Sequence, residues 1–250
     1  MVSAIILAYQ CVHFCPPFFL TAVRFMKPIE TVAIIGGTHG NELTGVHLVK
    51  HWQHSPAEIQ RPNLRTELHI ANPKAVECNR RYLDQDLNRQ FTQQTLDDFS
   101  LGGYEHSRAK ALNTQLGPKH APRIDFIFDL HTTTANMGTT LVINSNAPLH
   151  TAMVFYIKQH MPHATLFYDP CDERMNDNFL TSVARNGGLL IEVGPVPQGV
   201  LNHHVIEETR QALALGLDYL QLLAEGKPPA LPTSYPGFEF VEKIRLPENE

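Results

Sequence analysis

Ile35–Gly45 reads IGGTHGNELTG and follows directly on the apolar run Thr31-Val32-Ala33-Ile34. A β-branched run that stops at paired glycines reads as a buried strand ending in a sharp turn, because glycine reverses the backbone without steric cost. A helical pattern, ELTGVHLVKHW (42–52), comes next, so the stretch sets a strand-turn-helix unit. His39 and Glu42 stand in that turn, at a spacing that places both side chains on one side of a helical turn or tight loop. Ligands of open α/β sheets bind outside the carboxyl ends of strands. The pair is therefore a candidate metal half-site, although HxxE by itself also fits an ordinary polar turn.

Two more short apolar runs, IDFIFDLH (124–131) and LLIEVG (189–194), have the same strand character. Between and after them lie the helical patterns APLHTAMVFYIKQHM (147–161) and HVIEETRQALALGLDYLQLLAEG (204–226). Strands alternating with helices predict an α/β fold with a largely parallel sheet. Gly226-Lys227 before Pro228-Pro229 ends the last helix and opens a linker, after which SYPGFEFVEKIRLPENE (234–250) alternates like the beginning of a β unit. At the other end, AIILAYQCVHFCPPFFLTAV (4–23) is apolar but broken by Pro16-Pro17 and has no basic lead-in. It makes a poor signal peptide and a poor membrane span. Met26 is the expected natural start, and residues 1–25 an extension outside the fold.

Hydrophobic residues at 43% against 18% charged give a globular balance, and a net charge of −5 offers no broad electrostatic grip on nucleic acid or an anionic membrane. The 4 cysteines form no CxxC pair, which points to neither a zinc ribbon nor a disulfide framework and fits a reducing, cytoplasmic setting.

His131 also ends an apolar strand and is followed by Thr132-Thr133-Thr134. With His39 and Glu42 it completes two histidines and a carboxylate, a catalytic zinc set that keeps a fourth position for water. Read alone, His131 equally fits a strand-end histidine satisfied by a carbonyl. Asp129, two residues earlier on the same strand face, is placed to accept the other ring N–H of a histidine ligand, or is a plain buried aspartate. Glu192 sits at the end of an apolar strand where water is scarce and is a candidate general base; the alternative is a strand-end carboxylate facing solvent or paired with an arginine. RRYLDQDLNRQF (80–91) gathers three arginines and an asparagine, suited to holding a carboxylate, although composition alone favours a solvated charge cluster.

Together, GGTHGNELTG, ANPKAVECNRRYLDQDLNRQF, DLHTTTANMG and IEVGPVPQGVL occur in an order that resembles the aspartoacylase and succinylglutamate desuccinylase family, over nearly the whole chain from Thr31. The resemblance implies a zinc-carboxypeptidase-like core, a mixed and largely parallel sheet flanked by helices, spanning 26–226. Residues 227–250 would then be a linker and the start of an incomplete C-terminal β-rich domain. It implies one zinc per chain on His39, Glu42 and His131, with Arg81 polarising the scissile carbonyl, Asn88 and Arg89 holding the substrate α-carboxylate, and Glu192 activating water. The implied reaction is hydrolysis of N-acyl-L-amino acids, N-acetyl-L-aspartate first, and the resemblance extends to a homodimer as an expected assembly. One position departs from the pattern. Thr181 stands ahead of Ser182-Val183-Ala184, where the family has an arginine for a side-chain carboxylate, with Arg174 and Arg185 as the nearby replacements. N-acetyl aromatic amino acids are therefore an alternative substrate class, and a non-catalytic carboxylate- or metal-binding relative is the alternative outside enzymes.

Overall fold

A computed structural model describes residues 5–14, 28–169 and 178–245. The strands are β1 (Ile5–Phe14), β2 (Thr31–Gly36), β3 (Arg65–Ile70), β4 (Phe126–Thr132), β5 (Gly138–Ile143), β6 (Thr165–Tyr168), β7 (Gly188–Gly194) and β8 (Tyr235–Arg245). They form one sheet in the order β1-β8-β6-β5-β7-β4-β2-β3. The helices are α1 (Leu43–His54), α2 (Pro73–Glu77), α3 (Gln93–Asp97), α4 (Tyr104–Leu116), α5 (Pro148–His160) and α6 (His203–Ala224).

The three strands expected from sequence sit side by side and parallel at the centre, with β4 pairing β2 on one side and β7 on the other. Every residue of β4 is buried, as a strand covered on both faces requires. Alternation divides its side chains. Phe126, Phe128 and Leu130 join Val32, Ile34, Leu189 and Ile191 in the larger core with α1, α5 and α6. Ile127 joins Ala33, Ile35 and the α4 residues Ala109, Leu112 and Leu116 in a smaller core on the other face. By the same period of two, Asp129, His131 and Glu192 belong to the smaller-core face. Register finishes the placement, since Gly36 pairs with Leu130 and His131 pairs with Glu192. Three strand ends thus converge on one point.

Between β2 and α1 the chain turns in the least possible space. A Cβ on Gly36 would lie 2.3 Å from the carbonyl carbon of Gly45 in the first turn of α1, and one on Gly45 would lie 2.8 Å from the Leu130 carbonyl oxygen. The helix start therefore presses directly on the strand ends, which fixes where His39 and Glu42 can be.

Residues 5–14, expected to stand outside the fold, pair antiparallel with β8 along the sheet edge. Tyr235–Arg245, expected to open a separate β-rich unit, joins the same sheet through Phe167–Phe238 and Tyr168–Glu239 pairing with β6. A lone β8 would present a row of unpaired backbone groups, and β1 covers it. The last helix ends where Gly226 required: Gly226 is at φ 69°, and the amides of Gly226 and Lys227 donate to Leu223 and Leu222. Among the described residues no helix is long and apolar enough to cross a membrane.

Gly36→Ala should lower stability by about 1–3 kcal/mol, the usual cost of forcing atoms into a packed interior. Gly102→Ala, where a Cβ meets nothing within 4 Å, should stay within about 0.5 kcal/mol of the parent. Urea midpoints of the two variants against the parent check this.

Candidate active site

Glu42 occupies the position just before α1, and its carboxylate is 3% exposed. The His39 ring reaches Oε1 through Nδ1 at 2.7 Å, and the His131 ring reaches Oε2 through Nδ1 at 2.9 Å. The backbone N–H of Thr132, at the end of β4, donates to Oε2 at 3.1 Å. All three side chains are buried, and their ligand atoms lie within 4.8 Å of one another. The sequence-predicted triplet is therefore brought together.

Each histidine turns its second nitrogen to another carboxylate. Nε2 of His39 lies 3.1 Å from Asp86 Oδ1, and Nε2 of His131 lies 2.9 Å from Asp129 Oδ2, close but off the hydrogen-bond axis. Thr38 in turn donates to Asp129 Oδ1 at 2.7 Å. Metal-bound histidines characteristically show this arrangement, one nitrogen inward and the other held by a carboxylate. The donors, two imidazole nitrogens and a carboxylate, fit zinc.

Charge distribution follows from burial and pairing. Burial opposes charge on both histidines. Asp86 and Glu42 nevertheless raise the pKa of His39, and Asp129 and Glu42 raise that of His131 well above the usual value. The carboxyl of Glu42 is pushed up by burial, but His131 and His39 outweigh that and hold it far below the ordinary range. Glu192 behaves oppositely. Burial, with a contribution from Glu42, raises its pKa despite the neighbouring histidines and Arg81. It is half-buried, opposite His131, and has no hydrogen-bond partner among the described residues.

Arg81 joins the cluster from the loop after α2. Its carbonyl accepts from Gly40 N at 3.1 Å, and its guanidinium lies 3.5 Å from Glu42 Oε1 and donates to Asp86 Oδ2 at 3.0 Å. The side chain is 45% exposed, so it faces both cluster and solvent. Asn88 and Arg89 follow in a 3-10 turn, Leu87–Arg89. Asn88 is buried and accepts from Leu180 N at 2.8 Å, while exposed Arg89 stacks 4.7 Å over the Phe179 ring. Asp86 is the residue whose role the sequence did not reveal. It sits in the arginine-rich stretch as one more charge, yet touches His39, Arg81 and the amide of Asn88.

Thr181 follows Leu180, whose N–H meets Asn88. It packs against Gly188, the first residue of β7, about 13 Å from Glu192 at a strand rise of roughly 3.3 Å per residue. Arg185 pairs with Asp125 near the same end, and Arg174 lies outside the described residues. A cavity of about 600 Å³ there is lined by Asn144, His150, Thr181 and Arg185 and does not include the histidine cluster.

A model of the succinylglutamate desuccinylase/aspartoacylase catalytic domain matches residues 28–220. The chain belongs to this family. Rat aspartoacylase is 40% identical over 243 residues, covering 92% of this chain and 75% of its own length. A human N-acyl-aromatic-L-amino acid amidohydrolase (carboxylate-forming) is 40% identical over 224 residues, covering 85% and 66%. Murine aminoacylase 3 superposes with a TM-score of 0.75 at 37% identity, over 80% of this chain and 67% of that one.

Zinc binding should release protons, because both histidine nitrogens facing Glu42 must be bare to ligate. Their raised pKa values mean more protons are displaced at about pH 6 than at about pH 8. Calorimetric titration in buffers of differing ionisation enthalpy reads the number. Heat independent of buffer at both pH values would contradict it.

Proposed function

We propose that the protein is a zinc-dependent hydrolase of the amide bond in N-acyl-L-amino acids. The observation that carries this reading is the Glu42 carboxylate clasped between two histidine Nδ1 atoms, with each Nε2 on a further carboxylate. His39, Glu42 and His131 would hold one zinc per chain, which when bound supplies a Lewis acid and lowers the pKa of water.

Glu192 is the base. Its carboxylate, with no hydrogen-bond partner among the described residues, accepts a proton from the attacking water and returns it to the leaving amine. Arg81, tethered by Asp86 yet open to solvent, donates to the oxygen that gains charge in the tetrahedral intermediate, where one such donor is worth roughly 10²–10³ in rate. Arg89 and the side-chain NH₂ of Asn88 receive the α-carboxylate, for which a guanidinium fork is the natural partner. The acyl group leaves as a carboxylate and the amino acid as a free amine.

Two substrate readings remain, N-acetyl-L-aspartate and N-acetyl aromatic amino acids. The second is favoured by a specific placement. Thr181 carries no charge and Arg185 is committed to Asp125, so neither supplies a cation for a second carboxylate.

Hydrolysis of N-acetyl-L-aspartate and N-acetyl-L-phenylalanine, each with and without chelator, tests the reading. Activity on at least one that chelator abolishes is expected; none on either would overturn it. Glu192→Gln should keep metal content and KM near the parent while kcat falls by at least about 10²-fold. Retained turnover would make Glu192 structural.

A further inference from the structure

The loop that delivers Arg81 and Asp86 has no apolar anchor. From Glu77 to Gln85 no residue is buried, and the next fully buried side chain is Leu87. A segment of this kind should move freely, because its backbone groups can trade protein partners for water. Yet Arg81 and Asp86 must stay in hydrogen-bond range of Glu42 and His39.

The middle of the loop, Leu83 to Gln85, is gathered on one carboxylate. Glu105, in the first turn of α4, is 0% exposed. Its Oε1 accepts from Leu83 N at 2.8 Å, and its Oε2 accepts from Asp84 N at 3.0 Å and Gln85 N at 3.2 Å. Three consecutive loop amides therefore converge on a single side chain. The fourth donor is Asn72 Nδ2, 3.1 Å from Oε1, and Asn72 N itself donates to the Gly37 carbonyl beside the metal half-site. The return contact, Asp84 Oδ2 accepting from Tyr104 N at 2.7 Å, ties the loop to the start of the same helix. Burial penalises the Glu105 charge, but these hydrogen bonds more than offset it and leave its pKa below the usual carboxylate range.

We infer that Glu105 is a positioning residue for the hydrolysis: through the amides of Leu83, Asp84 and Gln85 it sets where Arg81 and Asp86 stand against Glu42 and His39. It touches no reacting atom, and it deepens the proposed function by assigning the oxyanion donor its support. Besides its contact with Asp86, the carboxylate subsite has anchors of its own in buried Leu87 and in Asn88 accepting from Leu180 N. Loss of Glu105 should therefore act on kcat and leave KM alone.

The test uses the full chain carrying Glu105→Gln, which keeps shape but sets an NH₂ group against backbone donors. Hydrogen exchange at Leu83, Asp84 and Gln85 should quicken by at least about tenfold while β4 amides are unchanged, as expected for loss of a local opening barrier. The kcat on whichever N-acyl amino acid the parent hydrolyses should fall about tenfold or more with KM within about threefold, and the same substitution in an Arg81→Ala background should cost far less, the coupling expected of residues acting as a unit. If Glu105→Gln does not fold, Glu105→Asp, which keeps the charge but withdraws it by one methylene, reads the same quantities. Unchanged loop exchange, faster exchange spread through β4, or an equal kcat loss in the Arg81→Ala background would overturn the inference. If the parent hydrolyses no N-acyl amino acid, the functional reading fails, and the exchange data alone decide the role of Glu105 in holding the loop.

Discussion

The site depends on a buried carboxylate that must be satisfied. An isolated ionised glutamate in an apolar interior is costly and survives only with partners. Glu42 has two histidine nitrogens, the Thr132 amide and the Arg81 guanidinium around it. These come from the turn after β2, the end of β4 and the loop after α2, so satisfying one side chain fixes three segments relative to one another. The clasp works only because the glycine-lined turn lets α1 begin in contact with the strand ends. It also explains the direction of the charge shifts. The pKa values of both histidines are raised by the same carboxylate that would share a cation with them.

Around this clasp lies a second ring of carboxylates, Asp86 and Asp129, each turned to a histidine's outer nitrogen, and behind Asp86 stands Glu105. Polar contacts therefore tie the histidine cluster to the strand ends and the loop after α2. The opposite face of the sheet is different. There α1, α5 and α6 pack on a continuous apolar core, which supplies stability with no part in the chemistry.

Much of this was legible in the sequence, for reasons that can be named. The three strands β2, β4 and β7 read as unbroken β-branched and aromatic runs, and their ends carry the candidate site residues. What hid was whatever departs from that pattern. β3 (RTELHI) is only partly buried along its length and mixes charge with apolar residues. β5 runs antiparallel to β7, outside the strand-helix alternation used to find the others. β1 lies at the sheet edge, where no continuous apolar pattern is enforced, and the alternation of β8 marks a strand without telling which sheet it joins. Asp86 and Glu105 read as surface charges, since a carboxylate buried by backbone amides looks like any other in a sequence. α4 (YEHSRAKALNTQL) is mostly polar, and nothing local marks its second residue as buried. Thr181 is aligned by its neighbours with an arginine position, and its packing against Gly188 follows only from three dimensions.

The most direct test is the metal content of the intact protein and of His131→Ala, measured by elemental analysis after equilibration with zinc and removal of excess. Three first-sphere protein ligands are the usual minimum for a catalytic zinc site. The account predicts about one zinc per chain in the parent and a large loss in the variant. About one equivalent retained in folded His131→Ala would contradict it.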